Sequence, residues 1–367
     1  VSRSDVRNGL AVVLGLCGLM ASAALARTAL LDRASTAGSM MAAAEGWLAS
    51  LSADQAVRAQ RPFDDPHRTA WHFIPKFERK GLQLREMTPA QAALALSLLQ
   101  TAVSQTGFDK ACGIMELDEV LRIQEGIKAK NIRDSQRYFF TIFGKPSDRD
   151  PWGLSVEGHH LSLNFTLRDG RLVDSTPQFL GANPAVVRSG LPSLPGLPLT
   201  GQRILRDEET LAFELVQSLA AAQRIKAVIA AEAPKDIRAA GTTQPPPEAP
   251  VGIRYGELSA QQQQVLRRLI DVYCGAMVPE VAAERLNLAE EAPGGWDAVA
   301  FAWAGAIEPG IGHSYRVEGP TFSIEFCNVQ PDAEGNPANH IHCVWRDRTG
   351  DFDLSAMGSP ATPPAKR

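Results

Sequence analysis

The chain has 367 residues, 44% of them hydrophobic and 21% charged, and its 37 Lys and Arg against 41 Asp and Glu leave a formal charge of -4. That is room for one large domain or two, without the basic excess that displaces counterions from nucleic acid, so no nucleic-acid partner is expected. Five cysteines with no CxxC pair argue against a disulfide-built scaffold and a zinc ribbon.

At the start, Arg3 and Arg7 precede an uncharged run from Gly9 to Ala26 (GLAVVLGLCGLMASAALA), and Ala24-Leu25-Ala26 supplies the small residues a signal peptidase accepts. Residues 1–26 therefore read as a signal peptide, which makes the protein exported, periplasmic or extracellular. An uncleaved anchor is the alternative, weakened by the Ala and Gly content of the run. Cys17 is not read as a lipid anchor, because Leu16 stands where a small residue should precede it. No other stretch approaches a membrane span, so no stable membrane insertion is expected after cleavage. Without the leader, Cys112, Cys274, Cys327 and Cys343 remain, an even number that suits an oxidising compartment.

Residues 27–70 read as a helical lead-in. Further on, Gly and Pro punctuate the chain at Gly190–Gly201 (GLPSLPGLPLTG), a loop, at Gly241–Gly252 (GTTQPPPEAPVG), an extended connector, and at Gly358–Arg367, a frayed tail. Between the first two, Asp207 is placed to cap a helix whose Leu211, Leu215 and Leu219 recur at helical spacing, and the pattern continues to Ala231.

An internal repeat organises the rest. Gly81–Leu99 aligns with Gly252–Ile270 at a shift of 171, and both copies carry a capping box, Thr88 with Gln91 and Ser259 with Gln262. Tyr138–Thr166 aligns without gaps to Val299–Cys327 at a shift of 161, with Val156-Glu157-Gly158 matching Val317-Glu318-Gly319. Two matches in the same order favour duplication, the second copy having lost about ten residues between its helices and strands. Leu161, Leu163 and Phe165, like Phe322, Ile324 and Phe326, alternate with polar residues and predict half-buried strands. Asp169-Gly170 marks a hairpin turn, and Gln330–Pro337 is the longer turn of the second copy. The expected fold is α+β, with two pseudo-symmetric helix-then-β-hairpin repeats sharing a central sheet region. Repeat 1 covers 71–200, a connecting helix and linker 201–251, repeat 2 252–355, and a disordered tail 356–367.

Five of the seven histidines fall in the strand regions: His159, His160, His313, His340 and His342. Residues two apart on a strand share a face, so His340 and His342 can address one ion, whereas adjacent His159 and His160 are expected to face opposite sides, with only one joining. Glu325 lies on the predicted hairpin partner and completes a candidate metal shell of His159 or His160, His313, His340, His342 and Glu325. Alternatively Glu325 is a general base or an exposed strand residue pairing with Arg346. Arg346 is a candidate to hold an anionic group, or a structural residue bonded to Asp347. Asn164 occupies the position matching Glu325. A metal-free polar pocket using histidine as acid or base is the competing reading. Gly181–Ala185 (GANPA) is a turn that could form a backbone anion nest. No G-x-S-x-G elbow, P-loop or dinucleotide fingerprint occurs; Ser162 beside the histidines leaves a serine nucleophile as a minor alternative.

The runs PWGLSVEGHHLSLNFT, GANPA, GPTFSIEF and NHIHCVWRD, with RDSQRYFFTIFGKP upstream, resemble the DUF3500 family of exported proteins between about Trp71 and Phe352. The resemblance supplies no catalytic residues. It makes the histidine runs hallmark segments and marks two departures: Cys327 where Asp is usual and Cys343 where Thr is usual. Because both fall on one predicted hairpin, a cross-strand Cys327–Cys343 disulfide is a hypothesis beside that of two unrelated buried thiols. The leading functional expectation is an exported hydrolase with a divalent cation, zinc first and iron or copper as alternatives, acting on a small molecule the sequence does not identify. A metal-dependent oxidoreductase and a non-catalytic periplasmic metal- or small-molecule-binding protein are the alternatives.

Overall fold

The computed structural model describes residues 36–126, 130–188 and 200–355; the expected signal peptide, the tail and most of the 190–201 loop lie outside them. The fold is α+β, with eight α-helices and one large mixed sheet among the described residues.

The first half runs α1 (Thr36–Ser50), α2 (Ala53–Ala59), β1 (Gln60–Arg61), β2 (Leu82–Gln83), α3 (Pro89–Ala102), α4 (Gln105–Glu125), β3 (Phe139–Phe143), β4 (Trp152–Gly158), β5 (Leu161–Arg168), β6 (Arg171–Asp174) and β7 (Gln178–Ala182). The second runs α5 (Arg206–Ser218), α6 (Ala221–Ala227), β8 (Val228–Ala230), β9 (Ile253–Arg254), α7 (Ala260–Cys274), α8 (Pro279–Glu291), β10 (Ala300–Gly305), β11 (His313–Glu318), β12 (Phe322–Asn328) and β13 (Ile341–Asp347). Ten strands follow the order β1-β3-β4-β5-β7-β13-β12-β11-β10-β8, with β2, β6 and β9 attached to β3, β5 and β10. Only the outermost pairs, β1 with β3 and β8 with β10, are parallel. The halves meet at the antiparallel pair of β7 with β13.

Local chemistry explains why the halves begin alike. Thr88 Oγ1 accepts from Gln91 N (3.3 Å) while Gln91 Oε1 accepts from Thr88 N (2.9 Å), and Ser259 and Gln262 reproduce both bonds at the same lengths. Each box satisfies two backbone donors that a helix start leaves open. The same glutamines reach onward: Gln91 Nε2 donates to Ser50 O (2.7 Å) at the end of α1, and Gln262 Nε2 to Ser218 O (2.9 Å) at the end of α5. Gly81 (φ +95°) and Gly252 (φ +103°) admit the sheet edge, since a Cβ there would lie 2.6 Å from Phe140 O and 2.1 Å from Phe301 O respectively.

The helix expected over 207–231 is three elements. Asp207 sits in the first turn rather than at the cap, α5 stops at Ser218, Leu219 is extended, and the chain leaves α6 as strand β8. Apolar spacing could not reveal the break, because Gln262 and Arg224 take the terminal carbonyls of Ser218 and Leu219 from outside the periodic pattern.

The strands are buried on both faces rather than half-buried. One face carries Leu163, Phe165, Ile324 and Phe326 into the main core under the helices. The other carries the alternating polar residues and is covered by a second cluster of Trp71, Phe73, Phe179, Ile237, Val344 and Phe352. A buried polar face must be internally paired, and here cross-chain hydrogen bonds meet that demand. On the helical side, Glu116 of α4 is held by burial at a pKa of about 7. A carboxyl raised in this way favours the fold most below its unfolded value and loses that contribution as pH rises through 7. Urea unfolding should show Glu116→Gln removing about 1–3 kcal/mol of destabilisation at pH 8 and only a fraction of that at pH 5; equal effects at both would refute it.

Candidate metal centre

His159 and His160 form the two-residue turn between β4 and β5, where Gly158 faces Leu161. His160 has φ +61°, so the rings do not diverge to opposite faces as a regular strand would require. They stack, with centroids 3.8 Å apart. The turn is fastened by His160 N donating to Phe73 O (2.8 Å) and Gly181 N donating to His160 O (2.8 Å). Gly181 leaves room for the ring, because a Cβ there would stand 3.0 Å from His160 Cδ2.

His342 lies on β13 opposite Gly181, and His340 immediately precedes that strand, so the two rings arrive on the face His160 occupies. The ring nitrogens of His160, His340 and His342 offer one ligand atom each, all within 4.8 Å of one another, and form a group that could hold a metal ion. His160 Nε2 and His340 Nε2 are 2.8 Å apart. Ligand nitrogens about 2.0–2.1 Å from one zinc, at angles near 90–110°, stand roughly 2.9–3.4 Å apart, so little movement separates this pair from coordination distance.

Outer partners orient the rings. His342 Nδ1 meets Asp236 Oδ1 at 2.8 Å, leaving Nε2 free. His340 Nδ1 lies 3.3 Å from Asn183 Nδ2, while the buried Asn183 Oδ1 has no partner. Turning that amide over would let His340 Nδ1–H donate to the orphaned oxygen and release the Nε2 lone pair, so the donor set fits a cation. Burial first, and then the neighbouring histidines, push His160 and His340 well below the ordinary histidine pKa, which keeps them neutral as ligation requires. His159 is tied differently: its Nδ1 meets Asp118 Oδ1 at 2.6 Å, and Arg133 Nη1 lies 3.3 Å from both ring nitrogens.

Other candidate residues go elsewhere. His313 faces the helical core, fully buried, with Nε2 3.1 Å from Glu209 Oε1 and its ring stacked on Trp303. Glu325 lies on the histidine face, paired with Val344, but Arg238 takes both oxygens, Nε to Oε1 (3.0 Å) and backbone N to Oε2 (2.9 Å), and it is not among the converging ligands. Arg346 is buried and bonded through Nε to Asp351 Oδ2 (2.6 Å) and through its Nη atoms to the carbonyls of Ala239 and Thr242, so the anion it holds is the chain's own Asp351, and Asp347 is not its partner. Asn164 donates to Pro177 O (3.0 Å) and Ser162 Oγ (3.3 Å), and Ser162 is fully buried. In GANPA, Gly181 and Ala182 belong to β7, and Asn183 is the member that reaches the site.

The disulfide expectation fails. Cys327 is opposite His342 and Cys343 opposite Phe326, a register that sends the thiols to opposite faces, and the two do not form a disulfide. Burial pushes the Cys327 thiol up to about 12. Sequence reasoning missed Asp118, Asp236 and Arg133, and read Asn183 only as part of the GANPA turn. No periodicity singles them out, since helix α4 and three loops bring them in.

Fold and site together define an α+β protein with a three-histidine cluster where the two halves of one sheet meet. The family model described as "Protein of unknown function (DUF3500)" matches residues 33–354, and the chain belongs to that family. No curated protein and no solved structure matches it. No helix of the described residues is long and apolar enough to cross a membrane.

Proposed function

We propose that the protein is an exported metal-dependent hydrolase whose divalent cation, zinc first, is held by His160, His340 and His342. The observation that carries this reading is the convergence of three imidazoles from positions 180 residues apart, with an unpartnered buried amide oxygen beside one of them. Three protein nitrogens leave a coordination position for water, the arrangement of catalytic rather than structural sites. An ion there would supply Lewis acidity and lower the pKa of a coordinated water. The chain's own part is to fix the rings: Asp236 orients His342, Asn183 orients His340, and the stacked His159 with Asp118 supports His160. Export rests on Arg3, Arg7 and the apolar run that follows. The parallel order of elements and the paired capping boxes support descent from a duplicated unit, in which α1–β1 and α5–β8 are the openings of the two repeats.

Elemental analysis of protein purified without a histidine tag tests the metal. One zinc per chain is the expected result. Iron or copper would replace hydrolysis with redox chemistry, and a protein that takes up no metal on reconstitution would end the metal reading.

A further inference from the structure

Beside the histidine cluster, with Arg133 as the shared wall, lies a groove of about 830 Å³. Five arginines line it, 58, 79, 85, 133 and 137, against the acids Glu78, Glu86 and Asp134. Two of these cations are neutralised where they stand, Arg58 by Glu86 (2.5 Å) and Arg85 by Asp134, while Arg79 lies 3.5 Å from Glu157, a carboxylate that Lys80 also holds at 2.6 Å. Arg133 is held along one edge by Glu125, through Nε (3.0 Å) and Nη2 (2.7 Å), which turns Nη1 away from that carboxylate and toward the His159 ring. Among the described residues Arg137 pairs with no carboxylate: its Nη2 donates to the carbonyls of Phe77 (2.6 Å) and Lys76 (3.3 Å), and its guanidinium lies 5.8 Å from the Phe77 ring centroid.

The apolar part of the groove is as distinctive. Phe77 is 78% exposed and Ile132 57% exposed, and Phe77 is the only aromatic among the exposed large hydrophobic side chains of the described residues. A ring left in water beside a guanidinium lacking an acid partner matches a ligand with an oxyanion at one end and a flat apolar body at the other. We propose that this groove binds an aromatic oxyanion, a carboxylate or a phosphate-like group on a ring. Arg137 takes the anion while Phe77 and Ile132 cover the ring, with Arg133, held between Glu125 and His159, in the wall behind them. A ligand so placed touches the residue that also touches His159. The anion site needs no ion at the histidines, so the two readings can fail separately.

Calorimetric titration at low ionic strength tests it with benzoate, phenylphosphonate and the neutral benzamide. One of the anions is expected to bind at least ~10-fold more tightly than benzamide, and which anion does so tells a carboxylate site from a phosphate site. Arg137→Ala should lose that preference, Arg137→Lys should keep part of it, and Phe77→Ala should weaken all three probes with an unchanged melting temperature. Equal binding of benzamide, or anion binding indifferent to Arg137→Ala, overturns the proposal. Repeating the titration on EDTA-treated protein and on His340→Ala separates the sites. Retained binding supports the groove. Binding lost in both places the anion on the metal and overturns the groove alone, whereas anion binding by a protein that takes no metal overturns only the metal centre.

Discussion

Alanine in place of His160, His340 or His342 is expected to weaken divalent-metal binding by about 10²–10³-fold each. A structural zinc site with four ligands is worth roughly 10–16 kcal/mol, so one ligand carries about 2.5–4 kcal/mol. The losses should be similar for the three, although His160 is in a turn and the others flank and open a strand, because all three nitrogens lie within 4.8 Å of one another. Asp236→Asn should cost less, about 10–100-fold, since the carboxylate holds His342 through Nδ1 and would not itself touch the ion. His313→Ala and Glu325→Ala should leave affinity unchanged: His313 is on the helical face with Glu209, and Glu325 belongs to Arg238. Competition against a chromophoric chelator gives these numbers directly. Full affinity in the His342→Ala protein, or a loss in His313→Ala as large as in His160→Ala, would refute the assignment.

The contrast between His342 and Glu325 shows what strand alternation can and cannot reveal. Period two places His340, His342, Glu325 and Cys327 on one face, and that is where they are. It does not say what descends on that face. Arg238 comes from the segment between β8 and β9 and claims Glu325, and Asp236, two residues earlier, claims His342 instead. The disulfide error has the same root: the antiparallel register pairs Cys327 with His342, one position from Cys343, and a single step reverses the face. Alternation also misled at His159 and His160. Their neighbours look like continuous strand, but Leu161 pairs back to Gly158, and the turn needs positive φ at a residue without the glycine that usually announces it.

Helix starts were more legible because their chemistry is local. A capping box spans four residues, so Thr88-Gln91 and Ser259-Gln262 could be read directly and are formed. Legibility ends where a helix is closed by a side chain from elsewhere, as Gln262 closes α5 at Ser218. The polar strand residues follow the same division: the alternation was visible, but the cover formed by Trp71, Phe73 and Ile237 comes from loops with no periodic signature.

Arg285→Met should destabilise the fold by about 3–5 kcal/mol, because it strands two buried carboxylates. From α8, Arg285 Nη2 donates to Asp174 Oδ1 at the end of β6 (2.6 Å) and Nη1 to Asp347 at the end of β13, so one guanidinium ties a second-half helix to both halves of the sheet. Asp174 also accepts from Thr176 Oγ1 (2.8 Å) and Asp353 N (3.0 Å), bonds that hold the carboxylate in place once its cation is gone. Burial raises the Asp174 carboxyl to about 7, against the pull of Arg285, and losing the cation raises it further. A carboxyl with a raised folded pKa favours the fold at low pH and loses that contribution as pH rises through the folded value. The Arg285→Met deficit should therefore be larger at pH 8 than at pH 5. Neutralising the acids as well, in Arg285→Met with Asp174→Asn and Asp347→Asn, should recover much of the loss, because the burden is the unpaired charge rather than the missing contact. An exposed pair gives the reference: Arg268→Ala, opposite Glu214 with side chains 60% and 46% exposed, should change stability by no more than about 0.5 kcal/mol. Urea unfolding of the four proteins at the two pH values decides the matter, and an Arg285→Met deficit as small as that of Arg268→Ala would show that the buried carboxylates find protons or partners without it.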